Sequence, residues 1–98
     1  MRAAKVDKVQ PEIVKALRNV GATVMHLHRV GSGCPDLAVG FKCENYFLEC
    51  KQPNGKINEL QAKWHSEWAG NSFIVRSVDE ALDAIGAKRK PADSWEYS

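Results

Sequence analysis

The segment Tyr46-Phe-Leu-Glu-Cys-Lys51 constrains the fold more than any other stretch of this chain. It reads as a short strand, and side chains alternate along a strand. Phe47, Glu49 and Lys51 therefore face one way, and Tyr46, Leu48 and Cys50 face the other, into apolar packing. A central strand covered on both sides is apolar throughout. This one ends in two charges on a single face. Placing an acid and a base there costs desolvation free energy unless they are paired or bind a cation.

The rest of the chain supplies the elements around that strand. Residues 8–20 read as a helix, with Val9, Ile13, Ala16, Leu17 and Val20 as its apolar stripe. Asp7 with Gln10 resembles a capping pair, and Gly21 is a stop signal. Thr23 to Arg29 reads as a strand, with Met25 and Leu27 opposite His26 and His28. Gly31-Ser-Gly-Cys-Pro35 breaks the pattern. Leu37 to Phe41 is a short apolar strand, with a turn around Glu44-Asn45 before the strand 46–51. After Gln52-Pro53-Asn54-Gly55, a second helix runs from about 58 to 69. Ile57, Leu60, Gln61, Trp64, His65 and Trp68 share its stripe, Asn58 and Gln61 are a capping pair, and Gly70 ends it. Ser72 to Arg76 is a strand. Ser77-x-x-Glu80 opens a third helix with Val78, Ala81, Leu82 and Ile85 inward and Gly86 at its end. The order α-β-β-β-α-β-α implies an α/β fold, a mixed sheet with helices on both faces.

Composition narrows the class. The chain has 98 residues, which suits one domain with a single modest core, about 8–86, and a tail at 87–98. A hydrophobic fraction of 44% with 27% charged residues excludes a disordered chain. No apolar run is long enough to span a bilayer, and residues 1–7 lack the apolar region of a signal peptide. Cys34, Cys43 and Cys50 are odd in number and contain no CxxC pair, which fits reduced thiols. These features together place the protein in the cytoplasm. The net charge of +2 says little, because a polyanion ligand needs local positive charge rather than a large total. Trp95 and Tyr97 in the tail would either pack back on the domain or sit in a dimer contact.

Asp36 begins the strand that precedes the charged one. If the two strands pair as a hairpin, the start of one lies beside the end of the other. Asp36 and Glu49 then meet at one edge of the sheet. Two adjacent carboxylates repel unless a cation sits between them. Mg²⁺ suits such a pair, being a hard cation that prefers oxygen ligands and keeps several waters. Lys51 would bind a scissile phosphate or orient an attacking water. The competing reading makes Glu49 and Lys51 an exposed ion pair and Asp36 a turn cap, since a bare Glu-x-Lys string occurs by chance in many proteins.

The surrounding pattern favours the chemical reading. Gly33-Cys-Pro-Asp-Leu37, a strand ending Phe-Leu-Glu-Cys-Lys51, then Pro53-Asn-Gly-Lys56, then Gln61 with Trp64 on a helix, resembles the VRR-NUC family. These are the virus-type replication–repair nucleases of the PD-(D/E)XK superfamily. The resemblance covers about residues 10 to 86. It implies a PD-(D/E)XK restriction-endonuclease-like core and phosphodiester hydrolysis dependent on Mg²⁺ or Mn²⁺. Short free-standing members look like phage or bacterial proteins that act as homodimers on branched or flapped DNA. By position, Asp36 and Glu49 match the metal-binding carboxylates, Lys51 the catalytic lysine and Cys50 the residue whose backbone carbonyl completes the metal shell. Glu12 matches an acidic residue on the first helix; the alternative is a solvated helix-surface glutamate. Gln61 corresponds to the family's helix glutamine and would support Lys51, the nucleophilic water or the helix start.

Lys8, Lys15, His28, Arg29, Lys56 and Lys63 are candidate DNA contacts, with Lys42 a further one. Two other functions compete with a nuclease. One is a nucleic-acid-binding subunit that keeps the fold without activity. The other is a zinc-stabilised module built on His26, His28 and Cys34, although no CxxC or HxxxH accompanies the His-x-His spacing.

Overall fold

A computed structural model of the chain describes residues 8–87. Asp7, the basic run Lys88-Arg89-Lys90 and the aromatic pair Trp95 and Tyr97 lie outside the described residues. The elements occur in the order the sequence implies: α1 (Val9–Asn19), β1 (Thr23–His26), β2 (Leu37–Phe41), β3 (Glu44–Cys50), α2 (Glu59–Glu67), β4 (Ser72–Val75) and α3 (Val78–Ala84). The four strands form one mixed sheet in the order β1-β2-β3-β4. The β1–β2 and β2–β3 pairs are antiparallel, whereas β3 and β4 run parallel with α2 as the crossover.

The core lies on the sheet face covered by α1 and α3. Leu37, Val39, Leu48, Cys50 and Val75 from the strands meet Ile13, Val14 and Leu17 from α1 and Ala81, Leu82 and Ile85 beside them. Each Val, Leu or Ile among them stabilises the fold by about 1.5–3 kcal/mol when fully buried. The buried positions of α1 are Gln10, Ile13, Val14 and Leu17, so the stripe starts one residue later than the apolar pattern suggests. Val20 sits at the C-cap and is exposed. Gln10 is buried, and its amide nitrogen meets His26 Nδ1 3.3 Å away. The last helix is capped as its sequence implies. Ser77 Oγ accepts the Glu80 N–H, but the Glu80 carboxylate reaches one residue further back than a capping box requires, to the Arg76 N–H at 2.7 Å.

Three boundaries differ most from the sequence reading, while β3 and β4 also end one residue short of it, at Cys50 and Val75. First, β1 ends at His26 rather than Arg29. Leu27 N–H still bonds the Asp36 carbonyl, and the chain then turns through Val30 N–H to Leu27 C=O and Cys34 N–H to Gly31 C=O. Gly31, Ser32 and Gly33 all have positive φ, which ends strand geometry. Second, the β2–β3 turn lies at Lys42-Cys43, not Glu44-Asn45. Both residues have positive φ, as a two-residue hairpin of the primed type demands, although neither is the usual Asn or Gly. Third, α2 stops at Glu67, before Gly70, with Trp68 as an extended C-cap. Its stripe is only half covered: no residue of α2 is buried, and Leu60 and Trp68 are exposed. Among the described residues no helix is long and apolar enough to cross a membrane.

Candidate active site

Register brings the two carboxylates together. Leu37 pairs with Leu48, so Asp36, just before β2, comes opposite Glu49 on β3. The Asp36 Oδ2 accepts the Cys50 backbone N–H at 2.8 Å, which fixes the carboxylate against the end of β3. Cys34, two residues earlier, feels both acids. Burial, and then the charges of Glu49 and Asp36, push its thiol above the usual cysteine range.

Glu49 is 2% exposed, far more enclosed than a glutamate usually is. Such a carboxylate needs charge-stabilising neighbours. Gln61 is one of them: its Nε2 donates to Glu49 Oε2 at 3.0 Å. The same side chain closes the N-terminus of α2. Gln61 Oε1 accepts the Asn58 N–H at 2.9 Å, while the Gln61 N–H bonds Asn58 Oδ1 at 2.9 Å. The capping box thus aims the amide at the acid, so Gln61 serves Glu49 and the helix start together. Gly33 lets the Cys34-Pro35-Asp36 loop lie against this turn. Its φ is +81°, and a Cβ there would strike the Leu60 carbonyl.

One turn along α2, His65 faces the same carboxylate. Its Nε2 stands 3.8 Å from Glu49 Oε1, and its Nδ1 lies 3.1 Å from Ser72 Oγ. Burial lowers the ring's pKa below the ordinary histidine value, against an upward pull from Asp36. Sequence reasoning placed His65 in the α2 stripe without a role. Its four-residue spacing from Gln61, on the helix that crosses over β3, is the signal that identifies it.

Lys51 follows β3 directly. It is half-buried, and its N–H bonds the Val75 carbonyl at 3.0 Å. The loop after it is held by a residue that the sequence did not mark. Arg76 donates from one guanidinium nitrogen to the carbonyls of Gln52 and Gly55, at 2.9 and 2.6 Å.

The remaining candidates spread outward. Glu12 is exposed on α1 and lines a groove of about 430 Å³ with Lys8, Gln52, Pro53 and Arg76. Lys15 and His28 line another, of about 730 Å³, with Arg18 and His26. Arg29, Lys56 and Lys63 are exposed. Among the described residues no set of three or more His, Cys, Asp or Glu side chains forms a ligand cluster. That leaves a closed zinc site on His26, His28 and Cys34 without its ligand set, since structural zinc takes four protein ligands. A Mg²⁺-type cation takes one or two carboxylates and keeps its waters, and Asp36 and Glu49 are the residues that could hold one.

No family model matches the sequence, and no curated protein matches it. A solved structure described as "VRR_NUC domain" superposes on the fold with a TM-score of 0.68 and 28% sequence identity, covering 80% of this chain and 90% of that one.

Proposed function

The chain belongs to the VRR-NUC family and has its PD-(D/E)XK nuclease-type fold, and from that premise we propose that it is an endonuclease hydrolysing DNA phosphodiester bonds with Mg²⁺ or Mn²⁺ as cofactor. The observation that carries this reading is the Asp36 carboxylate bonded to the backbone N–H beside the buried Glu49. Asp36 and Glu49 hold the cation through carboxylate oxygens, with the Cys50 carbonyl as the third protein ligand. A bound divalent ion supplies Lewis-acid polarisation of the phosphoryl group and a more acidic water. Gln61 would hold the Glu49 carboxylate through its Nε2–Oε2 hydrogen bond. Lys51 binds the scissile phosphate or orients the attacking water. Glu12 stands as an outer acidic candidate, and Lys8, Lys15, His28, Arg29, Lys56 and Lys63 carry the flanking backbone phosphates.

The preferred substrate in this reading is branched DNA, a four-way junction or a flap. A surface this small leaves little area for sequence readout. A two-fold homodimer, each subunit with one site, suits paired cuts on two strands. The setting is the cytoplasm of a bacterial or phage-infected cell. The test is a panel of labelled junctions, flaps and linear duplexes incubated with Mg²⁺, Mn²⁺ or EDTA. Cleavage should require the metal and favour the branched forms. Glu49→Ala and Lys51→Ala should each reduce it below detection while the circular dichroism spectrum is unchanged. Cleavage that persists in both variants would sink the assignment. Branched-DNA binding with no cleavage under any metal would replace it with an inactive binding subunit.

A further inference from the structure

The contacts around Glu49 extend beyond Gln61. The carboxylate has two oxygens, and Gln61 Nε2 bonds only Oε2. The side chain facing Oε1 from α2 is His65, whose Nε2 is buried, 3.8 Å away and without a hydrogen-bond partner among the described residues. Gln61 and His65 sit four residues apart on one helix, so their side chains lie one above the other along the same strand. On the far side of the ring, Ser72 Oγ is 3.1 Å from Nδ1. Ser72 opens β4 and pairs with Phe47, two residues before Glu49 on β3. A buried imidazole is thereby suspended between a hydroxyl and a carboxylate.

Chemistry orients the ring. A neutral imidazole carries one N–H. A bare nitrogen lone pair aimed at a carboxylate oxygen is repulsive, so the N–H belongs on Nε2. Nδ1 then accepts a hydrogen bond from the Ser72 hydroxyl. A separation of 3.8 Å is longer than a hydrogen bond, and such contacts in unliganded sites tighten when the site is loaded. We propose that His65, with its tautomer set by Ser72, is a positioning residue for Glu49: it holds Oε1 as Gln61 holds Oε2, so that the remaining lone pairs point at the cation. Each carboxylate oxygen has two lone-pair sites, so both donors leave room for a metal bond. This inference rests on Glu49 being a metal carboxylate. It adds a Ser72–His65–Glu49 chain that links β4 to the site through α2.

The test combines a metal-free and a metal-loaded readout on the full chain. Imidazole ¹⁵N shifts of the apo protein should show the Nε2–H tautomer for His65, and Ser72→Ala should mix the two tautomers. His65→Phe keeps the ring and removes the donor. It should weaken Mn²⁺ affinity, measured by the paramagnetic resonance signal of the free ion, by about 10- to 100-fold, as loss of an outer-shell partner typically does. His65→Gln, which returns an N–H to the Nε2 position, should recover most of that loss. Urea denaturation of each variant checks that the fold persists. An Nδ1–H tautomer in the wild type, or wild-type Mn²⁺ affinity and cleavage in His65→Phe, removes the proposal and leaves the nuclease standing. A wild type that neither binds Mn²⁺ nor cleaves removes both.

Discussion

The two faces of the sheet are built to different rules. On one, α1 and α3 cover Leu37, Val39, Leu48, Cys50 and Val75, and those side chains are almost fully buried. On the other, α2 contributes no buried residue, yet it covers Glu49, the most enclosed acid among the described residues. Phe47, Trp64 and Trp68 form a half-open aromatic cluster there, the two tryptophans stacked at 4.7 Å. Beside it lies the polar set Glu49, Gln61, His65 and Ser72. One face supplies stability through close packing, and the other spends some of it to hold a charge. A single strand serves both, because alternation sends Leu48 one way and Glu49 the other.

Substitutions on the two faces should therefore separate stability from activity. The largest expected effect is on the apolar face. Leu17→Ala should destabilise the fold by about 2–5 kcal/mol in urea denaturation, since it leaves a cavity between α1 and the sheet. Cleavage at a temperature where the variant is still folded should stay near wild type. A large drop in activity of the folded variant would break the division of labour. The next effect is on the polar face and has the opposite signature. Gln61→Leu should reduce metal affinity or cleavage by about 10- to 100-fold. It should also lose up to about 1 kcal/mol of stability through the capping box. Equal losses in Gln61→Leu and Asn58→Ala would mean that Gln61 acts only as a helix cap. The smallest effect is again structural. Ser77→Ala should lose about 1 kcal/mol by calorimetry, with no change in metal binding.

The same contrast explains what the sequence made legible. Packing on the apolar face follows periodicity, so α1, α3 and the strands appear where Ile13, Leu17, Ala81 and Leu82 recur at helical spacing and where Leu37 to Phe41 runs apolar. The pairing of Asp36 with Glu49 follows from the hairpin register. The turn itself was misplaced, because Lys42 and Cys43 adopt positive φ without a glycine or asparagine to announce it. The stripe of α2 overstated burial. Its aromatic members pack against Phe47 on a single strand, so Leu60 and Trp68 stay exposed. Arg76 was invisible for another reason. Its partners at Gln52 and Gly55 are more than twenty residues away, and backbone carbonyls carry no sequence signature. His65 was seen as a helix-face residue. Its chemistry depends on Ser72, which only the parallel β3–β4 pairing brings within reach.

The hairpin turn at Lys42-Cys43 has a practical consequence for reporting on this site. Cys50 is sealed in the core, and Cys34 has a thiol held in its less reactive protonated form by burial and two acids, whereas Cys43 is exposed. A maleimide dye should thus attach selectively at the hairpin tip. The length of β2, about 17 Å at strand rise, separates that tip from Asp36. The native sequence therefore carries its own attachment point for a fluorophore, distant enough to leave the acids untouched.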